Sequence, residues 1–213
     1  GTESFVRNSL AIGVQRIDYA QHAFVTTLTT GRPLNGMAYE RFTDSGPVAL
    51  LPLAQNRAGL VLTVGADDSA RVAALDDAAF LQLVHARFGY RAGQLSRPGK
   101  RKPYPLGRVL ADRLTAERCV LVGNAAQTVH PLGAQGFNLG LRDALSLAEL
   151  LIAAKQQGDD PGDAALLSRY GERRTPDRQA TTSFSDDLVR LMGNDFLPLR
   201  VLPRTIVGLE PTM

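Results

Sequence analysis

The stretch that decides the fold runs from Cys119 to Asp143, CVLVGNAAQTVHPLGAQGFNLGLRD. Its first four residues, Cys119 to Val122, form an apolar run that Gly123 closes, as expected of a short strand whose end must come close to something bulky. From Ala125 to Gly136 the residues are small or turn-forming, so side chains do not screen the amide N–H groups. Apolar spacing follows at Leu139, Leu141, Ala144, Leu145, Leu147, Ala148 and Leu151, which predicts a helix ending near Gly158. The free N–H groups and dipole of that helix face back into the loop and favour negative charge there. Two readings stay open on these residues alone: an anion or cofactor cradle, and an ordinary strand-loop-helix unit whose glycines serve tight packing.

The same residues resemble the second FAD-binding motif of the flavin-dependent aromatic hydroxylases, G-D-A-A-H, a proline, G-Q-G-x-N and a closing aspartate. Here those positions are Gly123, Asn124, Ala125, Ala126, Gln127, Pro131, Gln135, Gly136, Asn138 and Asp143. The Asn-Ala-Ala-Gln variant, with His130 before the proline, is similar to the branch that hydroxylates ubiquinone precursors. The resemblance implies that Gly123, Asn124, Pro131, Gly133, Ala134, Gln135, Gly136, Phe137 and Asn138 contact FAD. It also implies that N–H groups around Gly136 to Asn138 stabilise negative charge on the N1/C2 edge of reduced flavin. Pro131 would fix the start of the loop and set its carbonyl near the oxygen-reaction face. The chain departs from the pattern twice. Asn124 replaces the usual aspartate, keeping an acceptor oxygen without charge, and Gly133-Ala134-Gln135-Gly136 stands where relatives have Ala-Gly-Gln-Gly, which predicts local adjustment of the loop.

At the start of the chain, GTESFVR resembles the tail of the family's D-G-x-x-S-x-V-R motif, with Gly1, Ser4, Val6 and Arg7 in place. The resemblance implies cofactor contact for Ser4 and Arg7. The sequence has no G-x-G-x-x-G behind a predicted strand. The expectation is therefore a C-terminal fragment that lacks the first half of the FAD domain and is inactive alone.

Composition points to a globular piece able to bury a core: 213 residues, 44% hydrophobic, with no apolar run of membrane-spanning length. The net charge of +3 is small and dispersed except in RPGKRKPYP, from Arg97 to Pro105, which reads as a solvated loop before it reads as an anion site. The single Cys119 excludes an internal disulfide framework, suits a reducing compartment, and reads as a small core residue. The localisation expected is cytoplasmic, with peripheral contact at the inner membrane as an extension of it.

Periodicity predicts strands over Tyr19 to Thr30, Tyr39 to Thr43, Gly46 to Leu53 and Gly59 to Gly65, with short connections that argue for an antiparallel sheet. Asp76 to Gly89 reads as a helix, with Asp76 or Asp77 as N-cap and Gly89 as its stop. Pro98 to Pro105 reads as irregular, Leu106 to Leu114 as a strand pair leading to Cys119, and Gly162 to Arg174 and Thr182 to Met192 as two helices. With these elements the resemblance implies an α/β fold class, as an α+β fragment: an antiparallel substrate-domain sheet, the remnant of a Rossmann-like FAD domain, and C-terminal helices. The corresponding boundaries are 1–12 and 104–158 for the FAD domain, 13–103 for the substrate domain and 159–213 for the C-terminal helices.

Within that frame, E-R-F and G-P-x-A-L-L-P-L strings of the branch match at Arg41, Phe42, Gly46, Pro47, Leu50, Leu51 and Pro52. Arg41, Pro47, Leu51 and Pro52 are candidates to line a substrate pocket; sheet packing is the competing role for each. Tyr170, Arg173, Arg174 and Asp177 resemble the branch's Y-x-x-R-R-x-x-D helix and are expected to form structural ion pairs. His22, His85 and His130 show no metal-ligand spacing, no G-x-S-x-G is present, and no acid-base set is legible; a backbone role for Pro131 is the one catalytic candidate. The resemblance implies that FAD carries the chemistry, with NAD(P)H as co-substrate, O2 as oxidant and a polyprenylated phenol or quinone precursor as substrate. Other ubiquinone-biosynthesis proteins are implied partners, and nucleic acid is not. Between Asp187 and Leu209, apolar residues mixed with Arg190, Arg200 and Arg204 and broken by Pro198 and Pro203 suit either an anionic membrane surface or packing on the parent domain. The alternative to an enzyme piece is a binding module for a lipid or partner that no longer uses flavin; a third reading is an oxidoreductase of the same fold acting on another substrate.

Overall fold

The computed structural model describes residues 1–192 and 207–209. It divides into two compact units, one formed by residues 1–19 with 107–190 and the other by 20–106 with 191–213. The boundaries differ from those expected from periodicity and the family resemblance because β1 (Val14–Thr29) and β5 (Lys102–Ala111) each run unbroken from one unit into the other. The passage of β1 falls at Ala20, whose backbone is left-handed (φ 51°), a feature that alternation of side chains does not signal.

In the second unit, β1, β2 (Ala38–Thr43), β3 (Gly46–Pro52) and β4 (Arg57–Gly65) form an antiparallel sheet in the order β1-β4-β3-β2, with β9 (Val207–Leu209) on the outer edge of β2. The registers Phe24↔Leu62, Val48↔Leu62 and Leu50↔Leu60 put one set of alternate residues on a common face. That face packs on α2 (Ser69–Ala73) and α3 (Asp77–Phe88) through Val72, Phe80, Val84 and Phe88, all essentially fully buried. Burial of each such side chain contributes about 1.5–3 kcal/mol. Helix α3 begins where Asp76 accepts the Ala79 N–H at 2.8 Å and ends at Gly89, whose φ of 88° needs a residue without a Cβ.

In the first unit, α1 (Phe5–Ser9) is followed by the start of β1, then the end of β5, a hairpin of β6 (Thr115–Ala116) and β7 (Cys119–Val120), a 3-10 turn at Gly123–Ala125, β8 (Gln127–Thr128), α4 (Gln135–Gln157) and α5 (Ala164–Met192). Its core joins Ile12, Ala111, Leu114, Leu121, Ala126 and Tyr170, and a second cluster of Ala154, Leu166 and Leu167 holds α4 to α5.

Three expectations need correction. The strand over Cys119 to Val122 is only the two-residue arm β7, because β6 is its partner and equally short. Residues 102–105 are not irregular but open β5. The two C-terminal helices are one, since α5 runs through Pro176. A proline there removes the amide that would bond the carbonyl of Glu172, but the flanking turns are tied by Thr175 Oγ1 to the Gly171 carbonyl at 2.7 Å and by Arg174 to Asp177 at 2.6 Å. The proposed membrane-surface segment lies from residue 193 onward mainly outside the described residues, and no helix among the described residues is long and apolar enough to cross a membrane.

Candidate functional site

The loop from Gly123 to Asn138 is anchored by one buried carboxylate. Asp143, 2% exposed, accepts the Gly123 N–H at 3.0 Å, the Gln127 amide at 2.6 Å and Arg174 Nε at 2.8 Å. It thereby ties the 3-10 turn that starts at Gly123, the strand β8 and helix α5 to the third turn of α4. Arg174 also bonds Asp177, Arg173 reaches Glu149, and Tyr170 donates to the Leu121 carbonyl at 3.4 Å, so this helix has a structural role.

Each glycine of the loop answers a different need. Gly123 is left-handed (φ 54°), and its Cα faces that of Gly140, where an added Cβ on Gly140 would sit 3.3 Å from it. These two glycines let α4 pack close to the chain leaving β7. Gly133 is left-handed at φ 79°, and Ala134 follows it at φ 52°, so an alanine fills the second left-handed position of the turn. Gly136 differs from the other three. Its φ is not positive, and a Cβ there would make only ordinary contact with Val129 at 3.7 Å. The protein's own packing does not require a glycine at 136; close approach of a ligand would.

Helix α4 has no side-chain cap at Ala134, leaving its first-turn N–H groups without a side-chain acceptor. Asn124, Pro131, Ala134, Phe137 and Asn138 are exposed, while Leu132 and His130 beside them are buried. The Pro131 carbonyl accepts the Ala134 N–H at 2.9 Å, closing a tight turn, and retains its second lone pair. Donors of an uncapped helix, an exposed amide acceptor at Asn124 and a glycine that packing does not require fit a flavin whose pyrimidine edge gains negative charge on reduction.

Ser4 and Arg7 have positions different from direct ligands. Ser4 caps α1 by accepting the Arg7 N–H at 3.2 Å, and Arg7 is fully buried, donating to the Ala125 carbonyl at 3.0 Å and the Thr2 carbonyl at 2.8 Å. Arg7 thus holds the 3-10 turn of the loop from behind.

The substrate-lining candidates split between two faces. Arg41, in register with Val48, and Pro52, in register with Ala58, belong to the face packed on the helices, and Arg41 reaches Gly89 at the C-terminal end of α3, where a cation is favoured. Pro47 and Leu51 lie on the opposite face together with Val25, Ala49 and Val61. That correction follows from a register that pairs residue 41 with 48. The same face carries Glu40, opposite Ala49, half-buried and with its carboxyl pushed up by burial. Sequence reasoning passed over Glu40; alternation from Phe42 would have placed it. Arg101 of the basic stretch is tied to Asp77 and the Leu75 carbonyl and lies over the Phe80 ring, so it braces α3.

A turn-rich loop that enters an uncapped helix, anchored on a buried carboxylate, is the kind of arrangement that an FAD domain presents to its cofactor. Residues 1–185 match the family described as FAD binding domain, and the chain belongs to it. It is 40% identical over 208 residues to ubiquinone hydroxylase UbiL of Rhodospirillum rubrum, covering 98% of this chain and 48% of that protein. Similarity to 3-demethoxyubiquinol 3-hydroxylase of Escherichia coli is 33% over 205 residues, covering 95% and 51%. Among solved structures, PqsL of Pseudomonas aeruginosa in complex with 2-aminobenzoylacetate superposes with a TM-score of 0.75 at 25% identity, over 91% of this chain and 54% of that one. The chain spans about half the length of the curated relatives it matches.

Proposed function

We propose that the chain supplies the second flavin-contact loop and the substrate sheet of an FAD-dependent monooxygenase that hydroxylates the aromatic ring of a ubiquinone precursor with NAD(P)H and O2. The observation that carries the reading is Gly136, a glycine that packing does not explain, at the uncapped start of α4. Gly136, Phe137 and Asn138 would hold the pyrimidine edge of the flavin by backbone N–H groups, and Asn124 would accept from its ribityl hydroxyls. When bound, FAD supplies the redox and oxygen-activating chemistry. The chain's own residues would orient it: Asp143, through Gly123 and Gln127, and Arg7, through Ala125, fix the start of the loop, and Pro131 sets the turn that leads into α4. The face carrying Val25, Ala49, Leu51 and Val61 offers apolar area to an aromatic ring and prenyl chain, and Glu40 an oxygen to accept a phenolic proton.

A stripe on α4 supports a larger assembly. Phe137, Leu141, Leu145 and Ile152 are 79%, 46%, 56% and 58% exposed, although the opposite side of the same helix is packed through Leu139 and Ala154. An apolar stripe of this extent suits the further FAD-domain residues present in the relatives. The deciding experiment is Gly136→Val in the longest protein that carries this chain. Loss of bound FAD with unchanged unfolding supports the cradle; a variant with the normal yellow colour rejects it. The binding-module reading predicts that the unaltered protein takes up no FAD at all.

A further inference from the structure

Behind the cradle lies a buried polar cluster that the motif does not announce. His130 is 1% exposed, and its Nδ1 accepts the Leu132 N–H at 3.1 Å. An accepting Nδ1 carries no proton, so the ring is neutral with its hydrogen on Nε2. Tyr19 of β1 meets the imidazole edge-on, with centroids 5.1 Å apart and planes at 85°. The Tyr19 hydroxyl donates to one oxygen of Asp186 and the Arg108 guanidinium to the other. One residue earlier on α5, Ser185 Oγ donates to the His130 carbonyl at 3.4 Å. Strand β1 and helix α5 therefore meet at one histidine, with Arg108 of strand β5 on the Asp186 carboxylate, and three residues beyond the histidine the chain turns through left-handed Gly133 and Ala134 into α4.

We infer that His130 is a positioning residue for the flavin-contact loop: its imidazole nitrogen holds the Leu132 amide, and the Tyr19-Asp186-Arg108 cluster holds the ring, so that the turn delivers the first N–H groups of α4 in a fixed direction. The inference rests on the proposed function for the role of those N–H groups, but not for the anchoring itself. Burial agrees with the geometry, pushing the His130 pKa down to about 4 and the Tyr19 hydroxyl up. A ring that stays neutral across the physiological range keeps the acceptor that Leu132 needs. A solvent-exposed loop would leave Leu132 N–H to water and the turn free to sample other directions.

The test compares His130→Phe, which keeps a ring and removes the acceptor, with His130→Asn, whose Oδ1 can replace Nδ1. Amide exchange is followed in the FAD-free protein, and FAD affinity by titration. Expected for Phe is at least tenfold faster exchange at Leu132, unchanged exchange at Leu139 to Ala154, and FAD binding weakened on the order of tenfold or more. Asn should restore most of both. Unchanged Leu132 exchange in the Phe variant, or faster exchange with unaltered FAD affinity, overturns the inference. If the Phe variant does not fold, Tyr19→Phe carries the test: faster Leu132 exchange supports the cluster and an unchanged rate rejects it. An unaltered protein that binds no FAD would defeat the proposed function, while the Leu132 exchange would still report whether His130 anchors the turn.

Discussion

Arg174 Nε lies 2.8 Å from Asp143 Oδ1, with the two side chains 6% and 2% exposed, and this pair joins helix α5 to the root of the cofactor loop. Removing one partner leaves the other charged and buried, which costs about 3–5 kcal/mol. Arg174→Ala is therefore expected to unfold at much lower urea than the unaltered protein. Arg173→Ala breaks the exposed pair with Glu149, with side chains 52% and 62% exposed, and should change stability by less than about 0.5 kcal/mol.

Ala134 occupies a left-handed conformation that costs a residue with a Cβ about 1–2 kcal/mol relative to glycine. Part of that gain is offset by the greater freedom of glycine in the unfolded chain. Ala134→Gly should stabilise the protein by about 0.5–1 kcal/mol, and Gly133→Ala should destabilise it by about 1 kcal/mol or more, both read from denaturant midpoints.

Two glycines four residues apart should behave oppositely. An added methyl at Gly140 meets the Gly123 backbone at 3.3 Å, and neither chain can yield without moving α4. Gly140→Ala is expected to cost about 1–3 kcal/mol. Gly136→Ala should leave stability equal or slightly higher, since alanine is the better helix former, and still weaken FAD. Thermal unfolding together with flavin titration separates the two effects.

His130 gives stability a pH dependence of known sign. Its pKa is about 4 in the folded chain against 6.5 unperturbed, lowered first by burial and partly opposed by the nearby Asp186 carboxylate; the Tyr19 ring also meets it, and Arg108 pairs with that same carboxylate. Below about pH 6.5 the unfolded chain takes up a proton that the folded chain refuses. Stability contributed by the neutral ring is complete above that pH and falls progressively until about pH 4, by on the order of 3 kcal/mol. Urea midpoints measured between pH 7 and 4 should show this slope, and His130→Asn should flatten it.

Glu40 tests the substrate face. Glu40→Gln keeps the shape and removes the charge; it should weaken a phenolic substrate roughly tenfold, from the typical worth of a hydrogen bond to a charged group, while leaving an O-methylated analogue unaffected. Equal effects on both ligands would remove Glu40 from the pocket. Burial also raises its carboxyl, so the folded chain binds its proton more tightly and loses stability as pH rises past the unperturbed value. The Gln variant should lose that part of the pH dependence.

Local chemistry was legible wherever a residue acts on its own neighbours. Asp76 and Gly89 bound α3, Gly158 with φ 76° ends α4, and the strands of the second unit follow from alternation and β-branched residues because those signals need only a few consecutive positions. The turn-rich loop before α4 was legible because its residues are contiguous. What remained hidden depends on partners distant in the chain. Arg7 holds Ala125 across 118 positions, and Tyr19 meets Asp186 across 167. Arg41 and Leu51 face opposite ways because the register pairs 41 with 48, a choice made by burial of Val48 and Leu50 against α3. Periodicity records how a segment can bury one side; only the packed fold decides which side meets a helix and which is left for a ligand, because that depends on contacts formed together.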